Sequence, residues 1–259
     1  MSGTAIVGPV AALRGPAKWA YRAYRSAPRP LRGVGESAQR LLAERAVRRQ
    51  PLPSGPGTRL LFGPLNTAGQ GYAWASAARR RLAHVDASSM SVQGRDAPPA
   101  MAFENDIYLT QAMQLHGAEA WRSAVLGMGR GSAMTHVLCE SGRPVLGQFH
   151  RGSFVADLDA LRSVGARVGL LFHGSDIRLP SQHAGLYPHS PFRDGSDHHS
   201  NDHHGSDYHA RLERAASERL RAIADFGGPT FVSTPDLLDF VPQATWLPLS
   251  VDIERFADA

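Results

Sequence analysis

The chain has 259 residues, with 28 Lys+Arg, 23 Asp+Glu and one cysteine, and its 42% hydrophobic and 20% charged content excludes collagen-like, coiled-coil and wholly disordered proteins. The single Cys139 excludes an intrachain disulfide framework, and no apolar run approaches the roughly 18–20 residues of a membrane-spanning helix. Because Arg14 and Lys18 interrupt the only mildly apolar stretch near the N-terminus, no signal peptide is predicted and we expect a cytoplasmic protein.

Residues 1–57 are predicted to be a basic extension that ends in a Pro/Gly linker, PLPSGPG. Residues 1–50 contain ten basic and two acidic residues, whereas the rest of the chain has a net charge of −3. Since the body of the protein is slightly acidic, the composition predicts no nucleic-acid binding. The extension has helical periodicity over 37–47. Two interpretations stay open: a solvated, partly disordered segment, which charge runs favour, or a basic aromatic helix in peripheral contact with the inner membrane face.

From residue 58 onward, apolar runs alternate with segments of helical periodicity. The predicted strands are 59–62, 85–92, 135–139, 167–172, 230–232 and 245–249. The predicted helices are 66–82, 103–128, 154–164, 209–226 and a short one from Pro235, and 145–149 is either a short helix or a strand. Ser153 and Thr234 stand where helix caps are expected. Residues 180–208, rich in Gly, Pro, Ser, Asp and His, are predicted to be a long His-rich loop.

Five or six strands that alternate with helices predict an α/β fold over 58–259, a Rossmann-like open parallel sheet with helices on both faces. Ligands of such sheets bind outside the carboxyl ends of the strands. The loop GPLNTAGQG follows the first strand, and Gly69, Gln70 and Gly71 open the next helix. They are candidate ligand contacts, because glycines let a ligand approach the backbone and a helix N-terminus offers free N–H groups. Tight packing explains the glycines equally well, and no standard nucleotide fingerprint is present.

The segment HGSDIR follows the apolar strand 167–172. His173 is expected to face the ligand crevice, where it can donate a hydrogen bond to negative charge. Asp176 and Arg178 are candidates for binding sugar hydroxyls or phosphate; equally, Asp176 can cap a turn and pair with Arg178. In the segment QFHRGSF, His150 is a further candidate for the same crevice. Cys139 is predicted to be buried and inert.

The run HHSNDHHGSDYH holds five histidines and two aspartates, which suit zinc, nickel or copper chemically. Its flanks are Gly, Ser, Asn and Asp, and the triplet GSD recurs at 195–197 and 205–207. This pattern predicts a solvated low-complexity loop that binds metal only adventitiously. A metal-binding or storage protein is the less favoured reading of the run.

Three segments resemble the N-terminal half of GT-B-type glycosyltransferases, particularly actinobacterial members of the family-four-like group. They are LLFGPLNTAGQGYAWASAARRRL, FHGSDIRLPSQH and VSTPDLLDFVPQATWLPLSVDIERF. The resemblance implies an acceptor-side domain that faces a second domain holding a nucleotide-diphosphate sugar, with transfer in the cleft between them and no metal or other cofactor. It places Gly69, Gly71 and His173 at that cleft, His173 as the catalytic residue, with Asp176 and Arg178 in the same loop.

The resemblance reaches almost to Ala259, where the second domain would begin. Glycosyl transfer needs a second domain that closes the cleft, because the donor diphosphate has to be held in place and water has to be excluded. We therefore expect either a separate donor-domain polypeptide or a truncated gene product, acting on an acceptor that the sequence does not define. A non-catalytic module that binds a glycan or an envelope precursor is the alternative.

Overall fold

The computed structural model describes residues 29–93, 103–128, 133–147, 153–193 and 205–251. Its helices are α1 (Arg29–Val47), α2 (Gln70–Arg81), α3 (Gln111–His116), α4 (Ala118–Val125), α5 (Phe154–Ser163), α6 (Pro180–Leu186) and α7 (Gly205–Phe226). Its strands are β1 (Thr58–Gly63), β2 (Val85–Gln93), β3 (Ile107–Thr110), β4 (His136–Glu140), β5 (Arg167–Phe172), β6 (Thr230–Val232) and β7 (Thr245–Trp246). Short 3-10 helices, Thr67–Gly69 and Pro235–Asp239, follow β1 and β6.

The strands form one seven-stranded sheet in the order β3-β2-β1-β4-β5-β6-β7, and every neighbouring pair is parallel. The predicted α/β, Rossmann-like parallel sheet is therefore confirmed. The chain builds the sheet from β1 to β3 in one direction and from β4 to β7 in the other, so the strand order reverses between β1 and β4. Ligands bind at such a reversal, outside the carboxyl ends of the strands. The fold thus brings the loops after β1 and β4 side by side.

The sheet is covered by helices on both faces. Leu61 of β1 belongs to the larger apolar cluster, whereas its neighbour Phe62 belongs to a second cluster with Trp74 and Ala75 of α2. Successive side chains of a strand point to opposite faces, so these clusters lie on the two sides of the sheet. Strand β5, RVGLLF, is buried from its second residue onward. Continuous burial of this kind is typical of a strand that is covered on both faces.

The predicted helix over 103–128 is wrong in its first part, which forms the edge strand β3 beside β2. Ile107 and Leu109 are buried, whereas Tyr108 between them is only half-buried. This alternation is typical of a strand, but four residues are too few for the sequence pattern to reveal it. The remainder of the segment is helical and is divided by Gly117 into α3 and α4.

The predicted loop over 180–208 is wrong at both ends, because α6 occupies its first residues and α7 begins earlier than predicted. Pro180 stands in the first turn of α6, where its fixed φ and missing N–H are favourable. The hydroxyl and backbone N–H of Ser181 also donate to the carboxylate of Glu213 in α7, at 2.6 and 3.0 Å. A tertiary contact therefore stabilises a helix whose composition predicts loop. The His-rich residues 194–204 lie outside the described residues.

Smaller expectations have mixed outcomes. Ser153 caps α5 as predicted, since its hydroxyl oxygen accepts the backbone N–H of Ala156 at 3.3 Å. Thr234 makes no such capping bond. The last strand ends at Trp246, earlier than predicted. Val145 and Leu146 form neither helix nor strand, Gly147 has 3-10 helical conformation, and the rest of that predicted element lies outside the described residues.

Helix α1 packs on the domain instead of standing free in solvent. Ala43 and Val47 are buried, and Val47 lies against Gly117, where an added Cβ would be 3.0 Å from Val47 Cγ2. Most side chains over 36–47 are exposed, as expected of a solvated segment, and the contact with the domain is made at Ala43 and Val47; residues 1–28 lie outside the described part of the chain. No helix among the described residues is long and apolar enough to cross a bilayer.

Acid is expected to destabilise the fold through His183 of α6. Its ring packs on Tyr187, and its Nδ1 lies 2.7 Å from Ser190 Oγ. Burial lowers the pKa of His183 below its ordinary value of 6.5, and the positive charge of Arg178 lowers it further. A depressed histidine pKa stabilises the fold above the unfolded value, and this stabilisation is lost as the pH falls through the folded value.

We expect the melting temperature to fall between about pH 7.5 and about pH 5.5, and to fall less in His183→Gln. His189 is exposed, and His189→Gln is the matched control. Its melting temperature should fall between the two pH values by as much as that of the wild type. Thermal denaturation at both pH values measures this. Equal pH dependence in wild type and His183→Gln would remove His183 from the explanation.

Candidate functional site

Three loops meet at the carboxyl end of the sheet around the side chain of Glu140. This residue ends β4, beside the reversal in strand order, and is 0% exposed. Its Oε2 accepts the backbone N–H groups of Leu65 and Asn66, at 2.9 and 2.8 Å, in the loop after β1. Its Oε1 lies 3.2 Å from Nε2 of His173, in the loop after β5. One buried carboxylate therefore links all three loops.

Asn66 shapes the loop between β1 and α2. Its backbone is left-handed, with φ 53 and ψ 50, which asparagine tolerates better than most residues. Its Oδ1 accepts the N–H of Tyr72 at 2.9 Å, and its Nδ2 donates to the carbonyl of Glu104 at 2.8 Å. Gly71 lies against this side chain, and an added Cβ would be 3.1 Å from Asn66 Oδ1. Close packing of α2 on the loop therefore leaves little room for a larger side chain at this position.

Strained backbone is confined to two of the three loops. Asn66, Ala68 and Ser141 have φ values of 53, 51 and 53, and they are the non-glycine residues with positive φ in the described ranges. Each such residue costs about 1–3 kcal/mol, and residues of this kind cluster at functional sites. The strain marks the loops after β1 and β4, at the reversal in strand order.

Replacement of Gly69 by alanine is expected to lower the free energy of unfolding by about 1–2 kcal/mol, because Gly69 has φ 74 and an added Cβ would lie 3.3 Å from the Phe103 ring. Gly185, within α6, is the control: no atom lies within 4 Å of an added Cβ, so Gly185→Ala should gain about 0.5–1 kcal/mol. Urea denaturation of both variants measures the difference. A stable Gly69→Ala would show that the turn is not constrained.

The side chain of His173, the predicted catalytic residue, is only 8% exposed. Its ring stacks on Trp74, with centroids 6.0 Å apart and planes at 13°. Its Nδ1 lies 3.2 Å from Ser233 Oγ, opposite the contact with Glu140. When the ring is neutral, the ionised carboxylate accepts the hydrogen of Nε2, which leaves Nδ1 to accept the Ser233 hydroxyl. The ring is thus held in one orientation and one tautomer.

Asp176 organises the loop after β5. Its carboxylate accepts the backbone N–H of His173 at 3.0 Å, of Gly174 at 2.7 Å and of Ile177 at 3.1 Å. It also accepts the hydroxyl of Ser141 at 2.6 Å, from the loop after β4. The interpretation of Asp176 as a turn cap is confirmed.

The predicted pairing of Arg178 with Asp176 is wrong, because Arg178 pairs with Asp236. Its Nη2 and Nε lie 2.6 and 2.9 Å from Asp236 Oδ2. Burial opposes the charge of Asp236, yet hydrogen bonds, including those from Arg178, lower the pKa of this carboxyl overall. The guanidinium of Arg178 is therefore held in an ion pair with another residue of the chain.

A cleft of about 330 Å³ opens beside His173. Leu65 and Thr67 of the loop after β1 contribute to its lining, and Arg143 and Arg219 bring two guanidinium groups to it. The cleft lies at the carboxyl ends of β1, β4 and β5, which is where a sheet of this type binds ligands.

Gly69 and Gln70 line an adjacent cleft of about 390 Å³, together with Phe103 and Ser250. Gln70 is tied to Ser250: its Oε1 accepts the Ser250 N–H at 2.8 Å, and its Nε2 donates to the Ser250 carbonyl at 3.4 Å. The predicted site residues are therefore divided between two clefts. His173 lines the first, Gly69 and Gln70 the second, and the turn after β1 borders both.

His150 lies outside the described residues. Cys139 is buried; burial, aided by the negative charges of Asp157 and Glu140, raises the pKa of its thiol, so the residue is inert as predicted. Across the described ranges, no three side chains of His, Cys, Asp or Glu are grouped so as to hold a metal ion.

Sequence reasoning missed the residue at the centre of the site. The sequence does offer one signal for Glu140, because its carboxylate directly follows the apolar residues of β4. Trp74, Arg143 and Arg219 were also missed, because their convergence on the cleft depends on elements that are distant in the sequence.

No protein-family model and no curated protein matches the chain. Among solved structures, the chain is similar to a UGT transferase from Siraitia grosvenorii in complex with UDP, with a TM-score of 0.37 and 12% identity. The similar region covers 73% of this chain and 50% of that protein, so the chain spans about half the length of its structural neighbour. The fold assignment follows from the sheet order and the parallel pairing.

Proposed function

We propose that the chain is the acceptor-side half of a GT-B-type glycosyltransferase, similar to the family-four-like group, which transfers a sugar from a nucleotide-diphosphate sugar to an acceptor. The observation that carries the proposal is the Glu140–His173 pair, buried at the reversal in strand order and bordering a cleft. The sequence resemblance supports the same conclusion, since its segments supply the loops after β1 and β5.

The proposed chemistry needs a group that takes the proton of the acceptor hydroxyl while the bond from the sugar to the diphosphate breaks. Histidine is the side chain most often used for such transfer, provided that it reaches the hydroxyl. In the proposal, Nδ1 of His173 exchanges the Ser233 hydroxyl for the hydroxyl of the acceptor. Glu140 then stabilises the imidazolium through Nε2, as a buried carboxylate does beside a catalytic histidine.

The proposal also requires a second wall. An open sheet presents one side of a cleft, whereas transfer needs the donor diphosphate held by oriented donors in a site that excludes water. We infer that a donor-binding domain, in another polypeptide or elsewhere in the protein, faces this cleft. We expect the reaction in the cytoplasm, and the buried free thiol of Cys139 is compatible with a reducing compartment.

A non-catalytic binding module is the second candidate, and one observation favours it: both ring nitrogens of His173 are already hydrogen-bonded. A module that binds a glycan or an envelope precursor needs only the cleft. A transferase also needs the Ser233 contact to open.

The test is release of nucleoside diphosphate by the natively purified protein, with whatever partner accompanies it, from a panel of UDP-, GDP-, ADP- and dTDP-sugars. A preparation from cells that lack the gene is the control. Release that depends on the protein, with a glycosylated product seen by mass spectrometry, supports a transferase. Glycan binding without release from any donor would overturn the proposal in favour of the binding module.

A further inference from the structure

Two arginines from separate elements converge on the cleft beside His173. Arg143 lies in the turn after β4, and Arg219 lies in α7. The Nη1 of Arg219 donates to the carbonyl of Asp176 at 2.8 Å. Its aliphatic stem packs on Gly142, where an added Cβ would be 3.4 Å from Arg219 Cγ and Cδ. The position of the guanidinium is therefore fixed by the turn and by the loop after β5.

The charge of these arginines is only partly balanced by the protein, since Asp176 and Glu218 act on Arg219 without forming an ion pair with it. In the part of the chain that the structure describes, neither Arg143 nor Arg219 forms an ion pair with a carboxylate. The carboxylate of Asp176, which lines the same cleft, already accepts hydrogen bonds from backbone N–H groups and from the Ser141 hydroxyl. Burial lowers the pKa of Arg219, and the positive charge of Arg143 adds to this, while Asp176 acts in the opposite sense.

The same cleft is lined by two hydroxyl groups that make no hydrogen bond within the described residues. Thr67 and Ser175 line it, and neither hydroxyl takes part in a hydrogen bond among the described residues. Leu65 and Leu212 add an apolar surface. The lining also includes one carboxylate, that of Asp176, which already accepts hydrogen bonds from Ser141, His173, Gly174 and Ile177. Two guanidinium groups therefore face one carboxylate, and this excess of positive charge, with two free hydroxyl groups and an apolar surface, suits an anionic group attached to a small organic body.

We propose that this cleft binds a phosphate monoester carried by the acceptor, with the phosphate between Arg143 and Arg219 and hydrogen bonds from Thr67 and Ser175. Two guanidinium groups match the charge and the oxygen geometry of a phosphate dianion. The role of this ligand as the acceptor rests on the proposed function, whereas the binding of phosphate in the cleft does not. His173 lines the same cleft, so the body of a bound phosphate ester lies beside the proposed catalytic residue. A nucleotide diphosphate offers similar chemistry, and the experiment separates the two sources.

The experiment is isothermal titration calorimetry of the full chain with inorganic phosphate, glucose 6-phosphate, glucose and UDP. We expect both phosphate probes to bind and glucose not to bind. Arg219→Gln and Arg143→Gln should each weaken glucose 6-phosphate binding about tenfold or more, because each removes a charge-assisted hydrogen bond. Arg221→Gln, which removes an exposed arginine from the same helix, should change the affinity less than about twofold.

Arg143 is exposed, so Arg143→Gln keeps the test valid if Arg219→Gln does not fold. Failure of either phosphate probe to bind, or equal losses in Arg143→Gln and Arg221→Gln, would overturn the site. Binding of UDP alone, lost in the same variants, would overturn the monoester assignment in favour of the diphosphate. Phosphate binding together with failure of the transfer assay would leave this site standing and reject only the proposed function.

Discussion

Replacement of Glu140 by alanine is expected to lower the free energy of unfolding by about 3–5 kcal/mol. The substitution leaves the backbone N–H groups of Leu65 and Asn66 and the ring of His173 without their common acceptor, in a site where Glu140 itself is 0% exposed. An unsatisfied buried donor costs about 1–3 kcal/mol, and removal of one member of a buried pair costs about 3–5 kcal/mol. Urea denaturation followed by circular dichroism measures the loss.

Two further variants distinguish the contact network from the mere loss of a carboxylate. Glu140→Gln keeps the size and one acceptor oxygen, so we expect a smaller loss than with alanine. Glu218 is exposed on α7, and Glu218→Ala should change stability by less than about 0.5 kcal/mol. If Glu140→Ala costs no more than Glu218→Ala, the carboxylate does not hold the three loops together.

Replacement of His173 by alanine is expected to reduce sugar transfer by about 10²–10⁴-fold, the range that positioned acid–base groups contribute. The reason is the position of its ring between Glu140 and Ser233, at the edge of the cleft. The measurement is the initial rate of product formation with the donor that the panel identifies. The melting temperature of the variant is recorded in parallel to separate loss of activity from loss of fold.

Ser233→Ala is the matched control for this prediction. In the proposed reaction the acceptor hydroxyl replaces the Ser233 hydroxyl on Nδ1, so Ser233→Ala should keep its rate within a few-fold of wild type. Full activity in His173→Ala would exclude the residue from the chemistry. Equal losses in the two variants would indicate that the ring acts through the Ser233 contact and does not meet the acceptor directly.

The sequence was sufficient for the fold class because most strands are continuous apolar runs closed by glycine or polar residues. The run RVGLLF of β5, for example, needs no tertiary information. Strand β3 could not be found, because it is a four-residue edge strand whose pairing with β2 is a long-range contact. The composition of its segment predicts a loop where helix α6 forms, and this helix is stabilised by the contact between Ser181 and Glu213.

The site was only partly predictable for a similar reason. His173 could be named because a polar residue that ends an apolar strand must emerge at the edge of the sheet. Its partners come from other strands and helices: Glu140 from β4, Trp74 from α2, and Arg219 from α7. Adjacency in strand order decides which loops meet, and a single sequence carries the order of elements along the chain but not their order across the sheet.

The central claim is that the loops after β1, β4 and β5 form one ligand-facing wall, and hydrogen–deuterium exchange of the natively purified protein with and without nucleotide sugar tests it most directly. The account predicts new protection in all three segments, 63–71, 141–143 and 173–176, because Glu140 and Asp176 connect them. Protection of only one of these segments, or of the opposite end of the sheet, would contradict it.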